Sequence, residues 1–226
     1  MTAMFKDRYD AGRQLAARLR PLAGRPNLIV LGLPRGGVPV AAQVADALGA
    51  ALDVFVVRKL GAPGHAELAM GAVASGGVRV IEQDVVRQLQ VTRQMFDQAT
   101  ERELHEIDRR ERAYRDGRTM PDLKGATVIL VDDGVATGAT MLAGVYALRQ
   151  LGPAAVIAAA PVMSRQAYRT LAEAADQCVC VAMPEPFYGV GMHYLDFEQT
   201  SDEEVRAVLR RGNFTGDRSV LHAAHG

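Results

Sequence analysis

Val128-Ile129-Leu130-Val131-Asp132-Asp133-Gly134-Val135-Ala136-Thr137-Gly138-Ala139-Thr140 is the stretch from which the rest of the chain can be read. Its apolar, β-branched opening predicts a buried strand over residues 127–131. Two carboxylates stand where that strand ends. Small residues and threonines then lead into a helix expected to run to about Leu151. A helix N-terminus offers unpaired N–H groups and the positive end of the helix dipole, and small side chains let an anion come close. Residues 136–140 are therefore expected to grip a phosphate, with the threonine hydroxyls adding donors. No Gly-Lys-Ser/Thr follows, as a P-loop requires. The acids precede the loop, which a dinucleotide fingerprint does not explain. Adjacent carboxylates repel a bare phosphate but accept hydrogen bonds from vicinal hydroxyls, so a sugar phosphate satisfies both halves of the stretch. The bland alternative is a tight turn in which an aspartate caps the helix.

Working outward, Leu28-Ile29-Val30-Leu31 is a second short apolar run, followed by the turn-rich Gly32-Leu33-Pro34-Arg35-Gly36-Gly37. A helical stretch over 38–48 and an apolar strand over 53–58 complete a βαβ unit. That unit implies a parallel sheet with its ligand site at the strand C-termini. A helix over about 7–20 precedes it, stopped by Pro21. Beyond the central stretch come a strand over 154–160, a helix over about 164–174, a strand over 177–182 and a short helix over 202–209. The last dozen residues look frayed. The fold class is thus α/β, with a doubly wound parallel sheet of about five strands.

The middle of the chain differs. Glycines at 61, 64, 71, 76 and 77 make residues 59–77 a candidate mobile span. Residues 70–74 and 77–81 could pair as a small ribbon beside the site. Residues 82–115 turn helical, with Val85, Leu89, Phe96, Leu104, Ile107 and Tyr114 at near-helical spacing. Glu106 with Arg110, Asp108 with Arg112, and Glu111 with Arg115 are acid-first i,i+4 pairs on its outer face. The alternating signs read as a solvated helix face, not a nucleic-acid patch. A single domain over 1–226 is expected. Residues 60–120 would form a flexible loop, ribbon and long-helix insertion, and residues 184–226 a C-terminal hood segment and tail.

Composition narrows the classes. Of 226 residues, 49% are apolar and only 5% aromatic, so the core must be aliphatic, as suits a sheet covered by helices. Lys plus Arg and Asp plus Glu both total 26, which argues against a general nucleic-acid binder and leaves little charge to oppose self-association. Cys178 and Cys180 fall on one face of a strand without further ligands nearby, so buried thiols are expected, not a metal site. The N-terminus is charged too early for a secretory leader, and no apolar run approaches the roughly 20 residues that cross a membrane. Cytoplasm is the default.

With these residues in view, residues 128–140 resemble the motif that type I phosphoribosyltransferases use to bind phosphoribosyl pyrophosphate (PRPP). Leu33-Pro34-Arg35-Gly36-Gly37 stands where that family has its pyrophosphate loop, often with a strained backbone. Arg58-Lys59 looks like the basic residues that meet pyrophosphate in purine-type members. The segments 34–40, 57–61 and 67–72, with Pro186-Phe187, Val190-Gly191 and Tyr194, are similar to a subgroup of predicted phosphoribosyltransferases whose acceptor is unsettled. The resemblance spans most of residues 5–209.

The resemblance implies that Asp132 and Asp133 hold the ribose hydroxyls and that Val135, Ala136, Thr137, Gly138, Ala139 and Thr140 wrap the 5-phosphate. Arg35, Arg58 and Lys59 would meet the leaving pyrophosphate, with Gly36 and Gly37 letting the backbone approach. It implies Mg2+ carried mainly by PRPP oxygens and water, without a dedicated cage, and with at most Asp132 or Asp133 reaching it through water. His65 and Glu67 fall in the candidate lid, and Phe187 and Tyr188 are candidates for stacking on the acceptor. Equally, those aromatics could anchor the hood to the core. The function implied is transfer of the 5-phosphoribosyl group to a nitrogen acceptor in nucleotide metabolism, by a homodimer. The alternatives are a PRPP-binding regulator or RNA-binding protein without turnover, and a hydrolase or phosphorylase, for which no water-activating base is evident.

Overall fold

The computed structural model describes residues 4–211, apart from the side chains of Ala66 and Glu67. Its centre is a five-stranded, wholly parallel sheet. The strands are β1 (Leu28–Gly32), β2 (Ala51–Val54), β6 (Thr127–Val131), β7 (Ala155–Val162) and β8 (Gln177–Ala182), in the order β2-β1-β6-β7-β8. Helix α2 (Gly37–Leu48) connects β1 to β2 in one direction. Helices α5 (Ala139–Gln150) and α6 (Arg165–Ala174) wind β6, β7 and β8 in the other. The winding therefore reverses between β1 and β6. Side chains cannot fill the crevice above such a reversal, and ligands settle there.

Both faces are covered, which is why the central strands read as unbroken apolar runs. One face packs α1 (Arg8–Leu19), α2 and α7 (Asp202–Arg211) over Val30, Leu52, Ile129 and Ile157. The other packs α5 and α6 over Ile29, Leu31, Val128 and Leu130. Register enforces this division, since Ile29 lies beside Val128 and Leu31 beside Leu130.

The middle of the chain builds a second sheet of β3 (Val57–Ala62), β4 (His65–Ala74) and β5 (Val78–Ile81), antiparallel in the order β3-β4-β5. Two expectations change here. The run 53–58 is not one strand: β2 ends at Val54, the chain passes through buried Phe55 and Val56, and Val57 begins the other sheet. Arg58 and Lys59 thus lie on this ribbon and not at the end of a core strand. The ribbon also takes in residues expected as loop, with a hairpin turn at Pro63 and Gly64.

The helical stretch 82–115 divides into α3 (Gln83–Gln88) and α4 (Arg93–Arg115). Gln90 adopts a left-handed φ of 49°, and Thr92 caps the new helix by accepting a hydrogen bond from Met95 N at 3.2 Å. On α4, Glu106 pairs with Arg110 at 2.7 Å and Glu111 with Arg115 at 2.7 Å, while Asp108 and Arg112 form no ion pair among the described residues. Arg115 is not on a solvated face. It is buried and donates to Asp53 at 3.0 Å and to the Val54 carbonyl at 2.9 Å, tying α4 to the outer strand of the core sheet. Cys178 and Cys180 do share one face of β8. They are only half-buried, because β8 is an edge strand. No helix among the described residues is long and apolar enough to cross a membrane.

Candidate active site

The loops leaving β1 and β6 meet at the point where the winding reverses. Contact is so close that side chains are excluded. A Cβ on Gly36 would fall inside the Asp133 carboxylate, and one on Gly37 would lie 2.9 Å from the Asp132 Cα. Glycine at 36 and 37 is thus a requirement of this meeting. The peptide between Pro34 and Arg35 is cis.

Asp132 accepts from the Asp133 amide at 2.9 Å. Burial and the neighbouring Asp133 charge push the Asp132 carboxyl well above its ordinary range. Burial also raises Asp133, opposed by Arg8, whose Nε donates to Asp133 Oδ2 at 2.8 Å. Arg8 is the functional candidate that sequence reasoning missed. Its Nη1 reaches the Glu198 carbonyl at 2.6 Å, and its guanidinium lies 4.0 Å from the centre of the Phe197 ring. The Tyr194 hydroxyl donates to the Asp133 carbonyl. The N-terminal helix and the C-terminal segment therefore both close on the second acid.

Beyond the acids, the loop turns into α5. Gly138 is its N-cap with φ 83°, a left-handed backbone that glycine takes without strain. Ser164 pins the loop by donating to the Ala136 carbonyl at 2.6 Å. Ala136, Thr137, Ala139 and Thr140 are exposed around the first helical turn, where the Ala139 N–H donates to the Thr137 hydroxyl at 3.5 Å, an arrangement that suits an anion cradle. Val135 is placed otherwise than expected. Its side chain is buried, and its N–H donates to the Val162 carbonyl at 2.9 Å, so it has no donor left for a phosphate. An isolated bridge to Met163 makes it a strut of the sheet.

The expected cations do not all converge. Adjacent residues of a strand face opposite ways, so Arg58 and Lys59 part company. Arg58 turns to α4 and binds Glu103 at 2.7 Å. Lys59 lines a small pocket of about 100 Å³ with Ala139, Leu142 and Tyr146, at the start of α5. Arg35 lies 3.8 Å from Asp202 at the start of α7 and forms no ion pair with Asp132 or Asp133 among the described residues. His65 lies exposed at the hairpin, and the side chain of Glu67 is outside the described residues. Phe187 packs inward, its ring 5.5 Å from that of His193, and so anchors the hood, whereas Tyr188 is 72% exposed. Among the described residues there is no group of three or more His, Cys, Asp or Glu side chains able to hold a metal ion.

A doubly wound sheet, with paired acids at the reversal and a small-residue loop opening the next helix, defines an α/β protein with its candidate ligand crevice at the strand C-termini. The comparisons carry this to a family: a model of the phosphoribosyl transferase domain matches residues 2–195, and the chain belongs to that family. Two Mycobacterium tuberculosis proteins, provisionally named phosphoribosyl transferases, are each 47% identical over 210 residues, which is 93% of this chain. The chain spans about half the length of these curated relatives, 47%. The crystal structure of TT1426 from Thermus thermophilus superposes with a TM-score of 0.82 at 44% identity. That match covers 91% of this chain and 97% of that one.

Proposed function

We propose that the protein transfers a 5-phosphoribosyl group from PRPP to a nitrogen acceptor and releases pyrophosphate. The observation that carries this reading is the junction of Gly36 with the Asp133 carboxylate. It brings the Arg35-Gly36-Gly37 turn beside the paired acids and the loop into α5, which supports reading the three as pyrophosphate loop, ribose acids and phosphate cradle. The bond from ribose C1 to the diphosphate oxygen breaks, a bond from C1 to the acceptor nitrogen forms, and the acceptor gives up a proton. Asp132 and Asp133 fix the ribose hydroxyls, and their charge favours the positive character that develops on the sugar. Ala136 to Thr140 hold the 5-phosphate. Hard carboxylate oxygens suit magnesium, and Asp132 is the donor that would reach the ion through water. When bound, magnesium neutralises charge on the leaving diphosphate.

Tyr188, exposed on the hood, is the remaining aromatic candidate to stack on an acceptor. A cytoplasmic homodimer belongs to the same reading and is supported by the zero net charge and the family resemblance. The test is pyrophosphate release from PRPP and magnesium, with nucleobases and simple amines offered one at a time. Acceptor-dependent release that disappears in Asp132→Asn/Asp133→Asn is expected. PRPP binding without release to any acceptor would mark a sensor instead, and a double variant that binds PRPP as tightly as the wild type would remove the ribose assignment.

A further inference from the structure

A second cavity of about 400 Å³ opens one residue from the Gly36–Asp133 junction, lined by Pro34, Arg35, Arg109, Arg110 and Asp202. Three guanidiniums face it from two elements, the pyrophosphate loop and α4. Its carboxylates are Asp202 at the wall and Glu106 behind the arginines, so the positive charges outnumber the negative ones. Glu106 accepts from Arg109 Nε and Nη2 at 2.8 and 2.9 Å and from Arg110 Nε at 2.7 Å. These bonds hold the Glu106 carboxyl at about 2, so it stays ionised and fixes both side chains. They also engage only part of each planar fork of donors.

Asp202 is steadied by the Tyr114 hydroxyl at 2.7 Å, and its contact with Arg35 is long enough at 3.8 Å for another anion to replace it. Arg58, which the sequence suggested for this task, is engaged with Glu103 and does not line the cavity.

We propose that Arg109 and Arg110 of α4 complete, with Arg35, a site for the diphosphate end of the phosphoribosyl donor. The inserted helix would then supply cations that the ribbon does not. Forked guanidiniums suit a diphosphate, because neighbouring oxygens can each accept a charge-assisted bond. This assignment rests on the phosphoribosyl reading above.

The experiment is titration calorimetry of the full chain with inorganic pyrophosphate, PRPP and ribose 5-phosphate, on the wild type, Arg110→Ala, Arg109→Gln and Arg110→Lys, each checked for an unchanged melting curve. Loss of a charge-assisted hydrogen bond from Arg110→Ala should weaken pyrophosphate and PRPP about tenfold to a hundredfold. Ribose 5-phosphate should change by less than about twofold, and Arg110→Lys should recover part of the loss because it restores charge without the fork. Equal weakening of all three ligands, or none, would overturn the assignment. Pyrophosphate that binds together with PRPP on one chain would also overturn it, by showing a separate anion site. A wild type that holds no ribose 5-phosphate would instead strike the phosphoribosyl reading itself.

Discussion

Asp133 is held by an arginine 125 residues away in sequence, and that separation explains why the site was only partly legible. The acids run straight into the small-residue loop, and the Arg-Gly-Gly turn is itself an unbroken tripeptide, so the chemistry of each segment could be read from neighbours. Arg8 sits at the start of an amphipathic helix, where an arginine looks like solvent-facing decoration. Nothing local marks it as the counter-charge of a carboxylate. Its pair with Asp133 leaves the two side chains only 12% and 15% exposed. Arg8→Ala would strand Asp133 beside Asp132 and also release Glu198 and Phe197. A loss of roughly 1–3 kcal/mol is expected, less than for a fully buried pair because water still reaches the site. Urea unfolding would measure it. Arg8→Lys should recover part of the loss, since it keeps the charge but cannot reach Asp133 and the Glu198 carbonyl with one rigid fork. Equal stability of all three proteins would show that the pair contributes nothing to the fold.

At the scale of elements, the βαβ core was legible because each central strand is a short apolar run bounded by turn residues. The passage from β2 to β3 was not. Phe55 and Val56 are as apolar as the strands on either side, so no break in pattern marks the change of sheet. The one signal was Asp53, a charge inside a buried strand, which demanded a partner. Arg115 is that partner, with side-chain exposures of 4% for the arginine and 3% for the aspartate. Its presence at the end of α4 turns an apparently solvated helix into a clamp on the core. Arg115→Ala should therefore cost about 3–5 kcal/mol, the penalty for leaving a buried charge alone. Removing both charges, as Asp53→Ala/Arg115→Ala, should be milder than the single change. A double variant less stable than Arg115→Ala by urea denaturation would mean the helix is anchored by packing and not by this pair. Val135 teaches the same lesson on a smaller scale: within a loop read as a cradle, a β-branched residue was the one most suited to be a strut.

At the scale of the molecule, three carboxyls among the described residues carry a cost of burial. Asp53, Asp132 and Asp133 are all raised above the ordinary 3.8, chiefly by desolvation. When a folded carboxyl has a raised value, the unfolded chain ionises first as pH climbs. Between the ordinary value and the raised one, the folded state binds more protons, so stability falls with rising pH and the full penalty stands above the raised value. Lowering the pH from neutrality through that window should thus stabilise the protein. Glu106 acts in the opposite sense. Its carboxyl is depressed to about 2, so the stability it confers is present above its ordinary 4.5 and lost below, with a small effect because it lies near solvent. Unfolding free energy should accordingly rise as pH drops from neutrality through the raised values toward the ordinary 3.8. Asp132→Asn provides the check, because it removes the most strongly raised of these charges while keeping the side chain's shape. That variant should be more stable than the wild type at neutral pH, with the difference shrinking toward pH 3.8, where the native carboxyl is neutral as well. A variant less stable at neutral pH would mean that the Asp132 charge supports the fold. The expected result would mean that the charge is kept against the interest of the fold, as the proposed ribose-binding role requires.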